Sequence, residues 1–344
     1  MSIAIAGGTG GLGRALVDGI LAKGKHKVVV LTRKVSGIPD INANVRFVVV
    51  DYSNVDSLVL VLEEHNVDTV ISTVNNITGE NQSELNLIEA AERSKTTNRF
   101  VPSYFGIPYL PEQYEAFLPA IAKKTALEAL KKTSLDWTAV YNGFFLDYFG
   151  TPRVKSYMDD VAFFVDLANN VASIPGSGNV PVVFTHTSDV ARFIAEFLEH
   201  PNWRPESYII GDRVTFNEVV RMAEDVKGTK FTVFYNSVES LKANVMVELP
   251  AHREVYKMYP KEMLHSFLVP FGLECERGQA NLKPVHTLND DFPHIKPVSF
   301  LKPSQDVPSQ LFGVPAVPGL QAGSRGSARP AYLRIRPIAE KATA

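Results

Sequence analysis

The chain has 344 residues, 45% hydrophobic and 10% aromatic, enough for one large or two modest domains with a substantial core. Its 35 Lys+Arg and 37 Asp+Glu leave a net charge of −2, without the basic excess of a nucleic-acid or membrane-surface binder. The one cysteine, Cys275, excludes an internal disulfide, and the eight histidines lack metal-ligand spacing, so no metal site is expected.

The N-terminus, Met1 to Gly8, has no basic segment and meets glycine at residue 7, so no signal peptide is expected. No apolar run approaches the ~20 residues of a membrane span, and the expected location is the cytoplasm. From Ser2 to about Phe145, short Val/Ile-rich runs alternate with segments of helical period. The runs are Ile3–Ala6, Lys27–Leu31, Val45–Val50, Thr69–Val74, Arg99–Pro102 and Trp137–Tyr141. Their nearly continuous apolarity predicts strands buried on both faces. Between them, Gly11–Leu21, Asn54–His65, Glu80–Arg93 and Gln113–Lys132 read as helices. This rhythm predicts an α/β fold with a doubly wound parallel sheet of Rossmann type over residues 1–150.

After Gly150 the pattern changes. Aromatics crowd in from Phe144 to Phe164, Pro175-Gly176-Ser177-Gly178 marks a turn, and Val180–Phe184 reads as a strand. A helix is predicted over Val190–Leu198, a capping box at Thr215 with Glu218, and another cap at Asn236 with Glu239. Residues 151–301 read as a smaller mixed α/β substrate lobe. The stretch 302–344 holds six Pro and four Gly with a net charge of +4, against −6 for residues 1–301. That composition predicts a disordered tail without chemistry.

Gly7-Gly8-Thr9-Gly10-Gly11-Leu12-Gly13 follows the first strand and opens the first helix. Glycines there allow a tight turn and let backbone N–H groups approach a pyrophosphate, which the helix N-terminus stabilises. The second strand ends Leu31-Thr32-Arg33-Lys34, with no acid to accept from a ribose 2′-hydroxyl. A guanidinium suits a 2′-phosphate instead, so Arg33 and Lys34 predict NADP(H) over NAD(H). Asp51-Tyr52 ends the third strand, where a carboxylate can reach an adenine amine. Ser72, Thr73 and Val74 end the fourth, along the edge where such sheets bind ligands.

None of the twelve tyrosines has lysine four residues on, so the Tyr-x-x-x-Lys of ordinary short-chain dehydrogenases is missing. The chain instead resembles the isoflavone reductase-like, NmrA-like family of atypical short-chain dehydrogenases, nearest its fungal members. The matching residues are the 7–13 loop, Leu31-Thr32-Arg33, Arg99-Phe100-Val101-Pro102-Ser103 with Phe105-Gly106, and Trp137-Thr138. Tyr141-Asn142-Gly143-Phe144-Phe145, Thr187-Ser188-Asp189-Val190 and Leu288-Asn289 continue the match.

The resemblance implies an NADPH-dependent reductase of an aromatic or polyketide-like carbonyl or enone. It adds Pro102, Ser103, Phe105, Asn142 and Gly143 to the cofactor set. It also places a catalytic lysine fifteen residues before Thr138, at Lys123, with Lys124 about 100° further round the helix. An ammonium there donates a proton to the oxygen as hydride reaches the carbon, and burial lowers its pKa. Members of the family commonly read Pro-Ser-Glu-Phe-Gly, whereas this chain has Tyr104 in place of the Glu, either as a further donor or as packing. The branch also contains dinucleotide sensors without turnover, which is the competing reading. The partner implied is a small aromatic molecule bound by a monomer or homodimer, with no nucleic acid and no membrane.

Overall fold

The computed structural model describes residues 1–34, 43–76, 79–149, 155–159, 161–257 and 260–300; the predicted tail at 302–344 lies outside the described residues. Six parallel strands form the first sheet: β1 Ser2–Ala6, β2 Lys27–Thr32, β3 Val45–Val49, β4 Val67–Ser72, β5 Arg99–Val101 and β6 Asp136–Trp137. Their order is β3-β2-β1-β4-β5-β6, the doubly wound arrangement with its reversal between β1 and β4. Helices α1 Gly11–Lys23, α2 Val55–Glu64, α3 Gln82–Arg93, α4 Gln113–Ala116 and α5 Leu118–Leu130 connect them.

Alternation along β1 sends side chains to two cores. Ile3 and Ile5 pack with Leu16 and Ile20 of α1, whereas Ala4 and Ala6 pack with Leu58 and Leu62 of α2 and Leu87 of α3. The latter core also takes Ala126 and Leu130 of α5.

Two expected elements are divided. The helix predicted over Gln113–Lys132 breaks at Phe117, whose backbone is extended, and restarts with Pro119 in its first turn. Proline there lacks the N–H that a continuous helix needs, whereas a first turn does not need it. The strand predicted over Trp137–Tyr141 breaks at Thr138. β6 pairs with β5, and the chain then leaves the sheet as β7 Ala139–Tyr141. Thr138 donates its N–H to Phe100 O and holds the Ser207 hydroxyl at 2.8 Å, which marks the crossing point.

The rest of the chain contributes β8 Phe144–Phe145, β9 Val165–Asp166, β10 Val171–Pro175, β11 Val182–Thr185, β12 Glu206–Tyr208, β13 Asp212–Val214 and β14 Thr232–Asn236. The sheets are β14-β10-β9, β13-β11-β8 and the pair β12-β7. Helices α6 Thr187–Phe197, α7 Phe216–Lys227, α8 Val238–Lys242, α9 His252–Val255, α10 Lys261–Glu276 and α11 Leu288–Asp291 complete it. After residue 150 the chain returns to the first sheet: α6 packs on α1 so closely that a Cβ on Gly19 would stand 2.7 Å from Ala191 Cβ. α6 starts at Thr187, three residues before the predicted start. His186 caps it, and the buried Asp147 carboxylate takes both the Thr187 N–H and hydroxyl. The Thr215–Glu218 capping box is present. The cap expected at Asn236 belongs instead to Ser237. Asn236 turns inward, donating to Ser173 Oγ at 2.9 Å and accepting from the Val247 N–H at 2.7 Å. Among the described residues no helix is long and apolar enough to cross a membrane.

Candidate active site

The glycine loop is tied to the end of β4. Gly7 sits at φ +77°, and a Cβ there would stand 2.7 Å from Thr73 Oγ1. A Cβ on Gly13 would fall onto the Gly7 carbonyl oxygen and stand 2.6 Å from Thr73 Oγ1. Thr73 itself donates to Ala6 O at 2.7 Å, so loop, helix and strand end form one knot. Gly10 is different: the nearest atom to a Cβ there is Gly7 O at 3.6 Å, so no described residue requires glycine at that position. The space over Gly10 lies at the N-terminus of α1, whose first turn carries no acid and whose cap lacks a side-chain hydrogen bond. N–H groups of a first turn have no intrahelical acceptor, and a dinucleotide pyrophosphate fits both the space and the charge. Thr9 is exposed beside it and Leu12 points into the core. A Cβ on Gly11 would stand 2.6 Å from Met158 Sδ, so the segment carrying Met158 reaches over the helix start.

Arg33 and Lys34 are exposed beyond β2, in a turn held by the Thr32 hydroxyl donating to Lys34 O at 3.0 Å. The two residues called at the end of β3 separate. Tyr52 is buried, donates to Leu31 O at 3.0 Å, and supports the strand end from below. Asp51 is exposed and accepts from the Ser53 N–H and hydroxyl at 2.9 and 2.7 Å, bonds that hold its carboxyl below the usual range.

Along the carboxyl ends of β4 and β5, Ser103 joins the two strands: its hydroxyl donates to Val74 O at 2.9 Å. Its N–H donates to Glu84 Oε1 at 2.6 Å, and Asn76 donates to Glu84 Oε2 at 3.4 Å. Glu84, Ser72 and Pro102 are buried. Burial pushes the Glu84 carboxyl up, against the opposing pull of Ser103, Ser72, Asn76 and the Lys123 charge.

Lys123 comes from α5 and is 9% exposed. Its ammonium lies 4.9 Å from the Tyr104 ring centroid and 5.2 Å from that of Tyr109, and donates to Phe105 O at 3.4 Å. Ring faces attract a cation there. Burial pulls its pKa down to about 8, opposed by the charges of Glu274 and Glu84. Lys124 lies outside, 3.9 Å from Glu128 and 5.7 Å from the Tyr114 ring centroid. Tyr104 is 1% exposed, and burial drives its phenol far up. Its ring meets Tyr141 edge-on at 5.1 Å and its hydroxyl pairs with that of Tyr114 at 3.2 Å. Asn142 and Gly143 are wholly internal. Both N–H groups donate to Gly106 O at 3.0 Å, which ties the β7 exit to the backbone that meets Lys123. Gly143 stands at φ +69°, and a Cβ there would fall onto Val183 O.

A family model described as the NmrA-like family matches residues 1–272. The chain belongs to the NmrA-like family. Oxidoreductase BOA1 of Botryotinia fuckeliana is 38% identical over 262 residues, 76% of this chain and 85% of that protein. Oxidoreductase swnN of Metarhizium robertsii is 31% identical over 280 residues, 74% and 82% of the two chains. This NmrA-like protein is an oxidoreductase of that kind. Among solved structures, leucoanthocyanidin reductase with NADPH from Vitis vinifera aligns at TM-score 0.67 and 17% identity, over 87% of this chain and 96% of that one. An isoflavone reductase aligns at TM-score 0.62 and 20% identity over 87% and 96%. Both share the fold.

Two carboxyls of this NmrA-like site were not among the sequence candidates. Glu84 follows the spacing of the buried face of α3, with Leu87, Ile88 and Ala91, and a charge on an apolar stripe was the available signal. Glu274 lies on α10, three and seven residues after Phe271 and Phe267, and is 0% exposed.

Proposed function

We propose that the protein is an NADPH-dependent reductase of an aromatic or polyketide-like carbonyl or enone, with Lys123 as its proton donor. The observation that carries this reading is the Lys123 ammonium, buried among tyrosine rings on the same sheet edge as the glycine loop. In this reading Gly7, Gly10, Gly11 and Gly13 shape the pyrophosphate cradle, with Thr9 and Leu12 at its rim and core. Arg33 and Lys34 receive the 2′-phosphate, and Ser72, Thr73, Val74, Pro102, Ser103 and Phe105 form the floor beneath the nicotinamide. When bound, the cofactor supplies hydride to the substrate carbon. Lys123 Nζ gives its proton to the oxygen that gains charge, from a position the Phe105 carbonyl helps to fix. Tyr104 serves as a ring wall for that ammonium, since its hydroxyl is taken by Tyr114 and its phenol holds its proton firmly. The rings of Tyr104, Tyr109, Phe117, Phe271 and Phe144 run in successive contact from Lys123 into the later lobe, and favour a flat aromatic substrate. A relative named pinoresinol reductase 1, of Arabidopsis thaliana, 25% identical over 75% of this chain and 84% of that protein, supports the reading as a reductase of a small molecule.

The test is NADPH oxidation with a panel of quinones, enones and aromatic ketones. The reading expects turnover with at least one class and a preference for NADPH over NADH. A melting temperature raised by NADPH with no member of the panel reduced would favour the sensor reading instead.

A further inference from the structure

We propose that Glu274 is the charge partner of Lys123, a positioning residue that keeps the ammonium protonated and so sets the alkaline limit of the reaction. This rests on Lys123 being the proton donor.

Glu274 is held in one orientation by a small polar strut. Gln113 of α4 receives the Leu110 N–H at 2.6 Å and the Gln279 amide at 2.7 Å, both on its Oε1. With that oxygen occupied by two donors, its amide nitrogen must face the other way, and it donates to Glu274 Oε1. Gln279 is anchored in turn to Pro108 O at 3.4 Å. The strut therefore links the tyrosine-bearing segment that covers Lys123 to α10. Glu274 Oε2 is buried without a hydrogen-bond partner among the described residues. A glutamine would satisfy the same strut at no electrostatic cost, so the packing does not explain a carboxyl at this position.

Among the described residues, the charged and titratable groups around the pair are few. Glu84 of α3 and Glu274 of α10 act on Lys123, and Tyr104 and Tyr109 supply the ring faces against it. Beside Glu274 stand Arg277 and Cys275 of its own helix, the thiol pushed well up by burial. Burial drives Glu274 up to about 8, with the Lys123 charge as the largest opposing influence. Lys123 is held at about 8, with Glu274 as the first influence opposing its burial. Each charge thus raises the charged fraction of the other group. Without the carboxylate, Lys123 keeps Glu84 alone among the described residues and loses its proton at lower pH.

The experiment is kcat against pH, from 6 to 10, for the full-length protein with saturating NADPH and a substrate reduced in the panel. Glu274→Gln retains the acceptor for Gln113 and removes the charge. Its alkaline limb is expected to move down by about one pH unit, with NADPH affinity unchanged. Glu274→Asp restores the parental limb. If Glu274→Gln does not fold, Glu274→Met supplies the same uncharged comparison. An alkaline limb at the parental pH in the uncharged variant, with Lys123→Met inactive, overturns the partnership alone. Full turnover by Lys123→Met overturns the underlying reading of Lys123 instead.

Discussion

At the scale of single residues, Gly10 and Gly13 separate two demands that the same loop makes. Gly13 is required by the protein, because a Cβ there collides with the Gly7 carbonyl and Thr73. Gly13→Ala is expected to cost about 1–3 kcal/mol in urea unfolding without any ligand present. At Gly10 the nearest atom to a Cβ is Gly7 O at 3.6 Å, and in the proposed reading that space receives the pyrophosphate. Gly10→Ala is expected to unfold at nearly the parental urea concentration and yet bind NADPH at least about tenfold more weakly, by titration calorimetry. Equal binding by that variant would remove the pyrophosphate from this position. Arg33→Ala is expected to lose about 10- to 100-fold in NADPH affinity while NADH affinity holds, since only one cofactor carries the 2′-phosphate. The glycine loop and the Arg33 turn were legible because both are local: a few residues at fixed spacing dictate the turn and the charge. Glu84 and Glu274 were not. What makes each of them special is burial against elements far away in sequence, which a position on a helix's apolar stripe hints at without naming the partner.

Among the elements, the order of strands and helices follows from period and apolarity, and all six strands of the first sheet stand close to where those patterns put them. The divided elements show what pattern alone misses. Apolarity from Trp137 to Tyr141 is interrupted by Thr138 alone, a residue common within strands, yet the chain changes sheets there because β12 offers β7 a parallel partner. The helix break at Phe117 was more visible, since Pro119 announces a first turn. Contact between α1 and α6 could not be read at all: Gly19 and Ala191 are 172 positions apart. Gly19→Ala is expected to destabilise the fold by about 1–3 kcal/mol in urea, because the two backbones are already too close for an added methyl group. A neutral result would mean that α6 yields without repacking.

For the molecule as a whole, burying two carboxyls beside one lysine makes stability depend on pH in a defined direction. Glu274 has its folded pKa raised from 4.5 to about 8. Between those values the unfolded chain has released the proton that the folded chain keeps. Its contribution is therefore present below about pH 4.5 and is lost as pH rises to about 8. Lys123, lowered from 10.5 to about 8, acts the other way: stability is regained as pH rises from about 8 toward 10.5, where the unfolded lysine gives up its proton too. Urea melts across this range are expected to show the parent losing stability relative to Glu274→Gln from pH 5 to 8. Parallel curves would show that the carboxyl ionises as it does in the unfolded chain.

The central claim is that one buried lysine, opposite a dinucleotide cradle, supplies the proton for hydride transfer. Its most direct test is single-turnover transfer of deuterium from 4,4-dideuterated NADPH to a reducible substrate, with the parent and Lys123→Met compared. The account predicts label on the product carbon in the parent, and in the variant an unchanged NADPH affinity with transfer slowed by about 10²–10⁴-fold. Label appearing at the parental rate in Lys123→Met would contradict it.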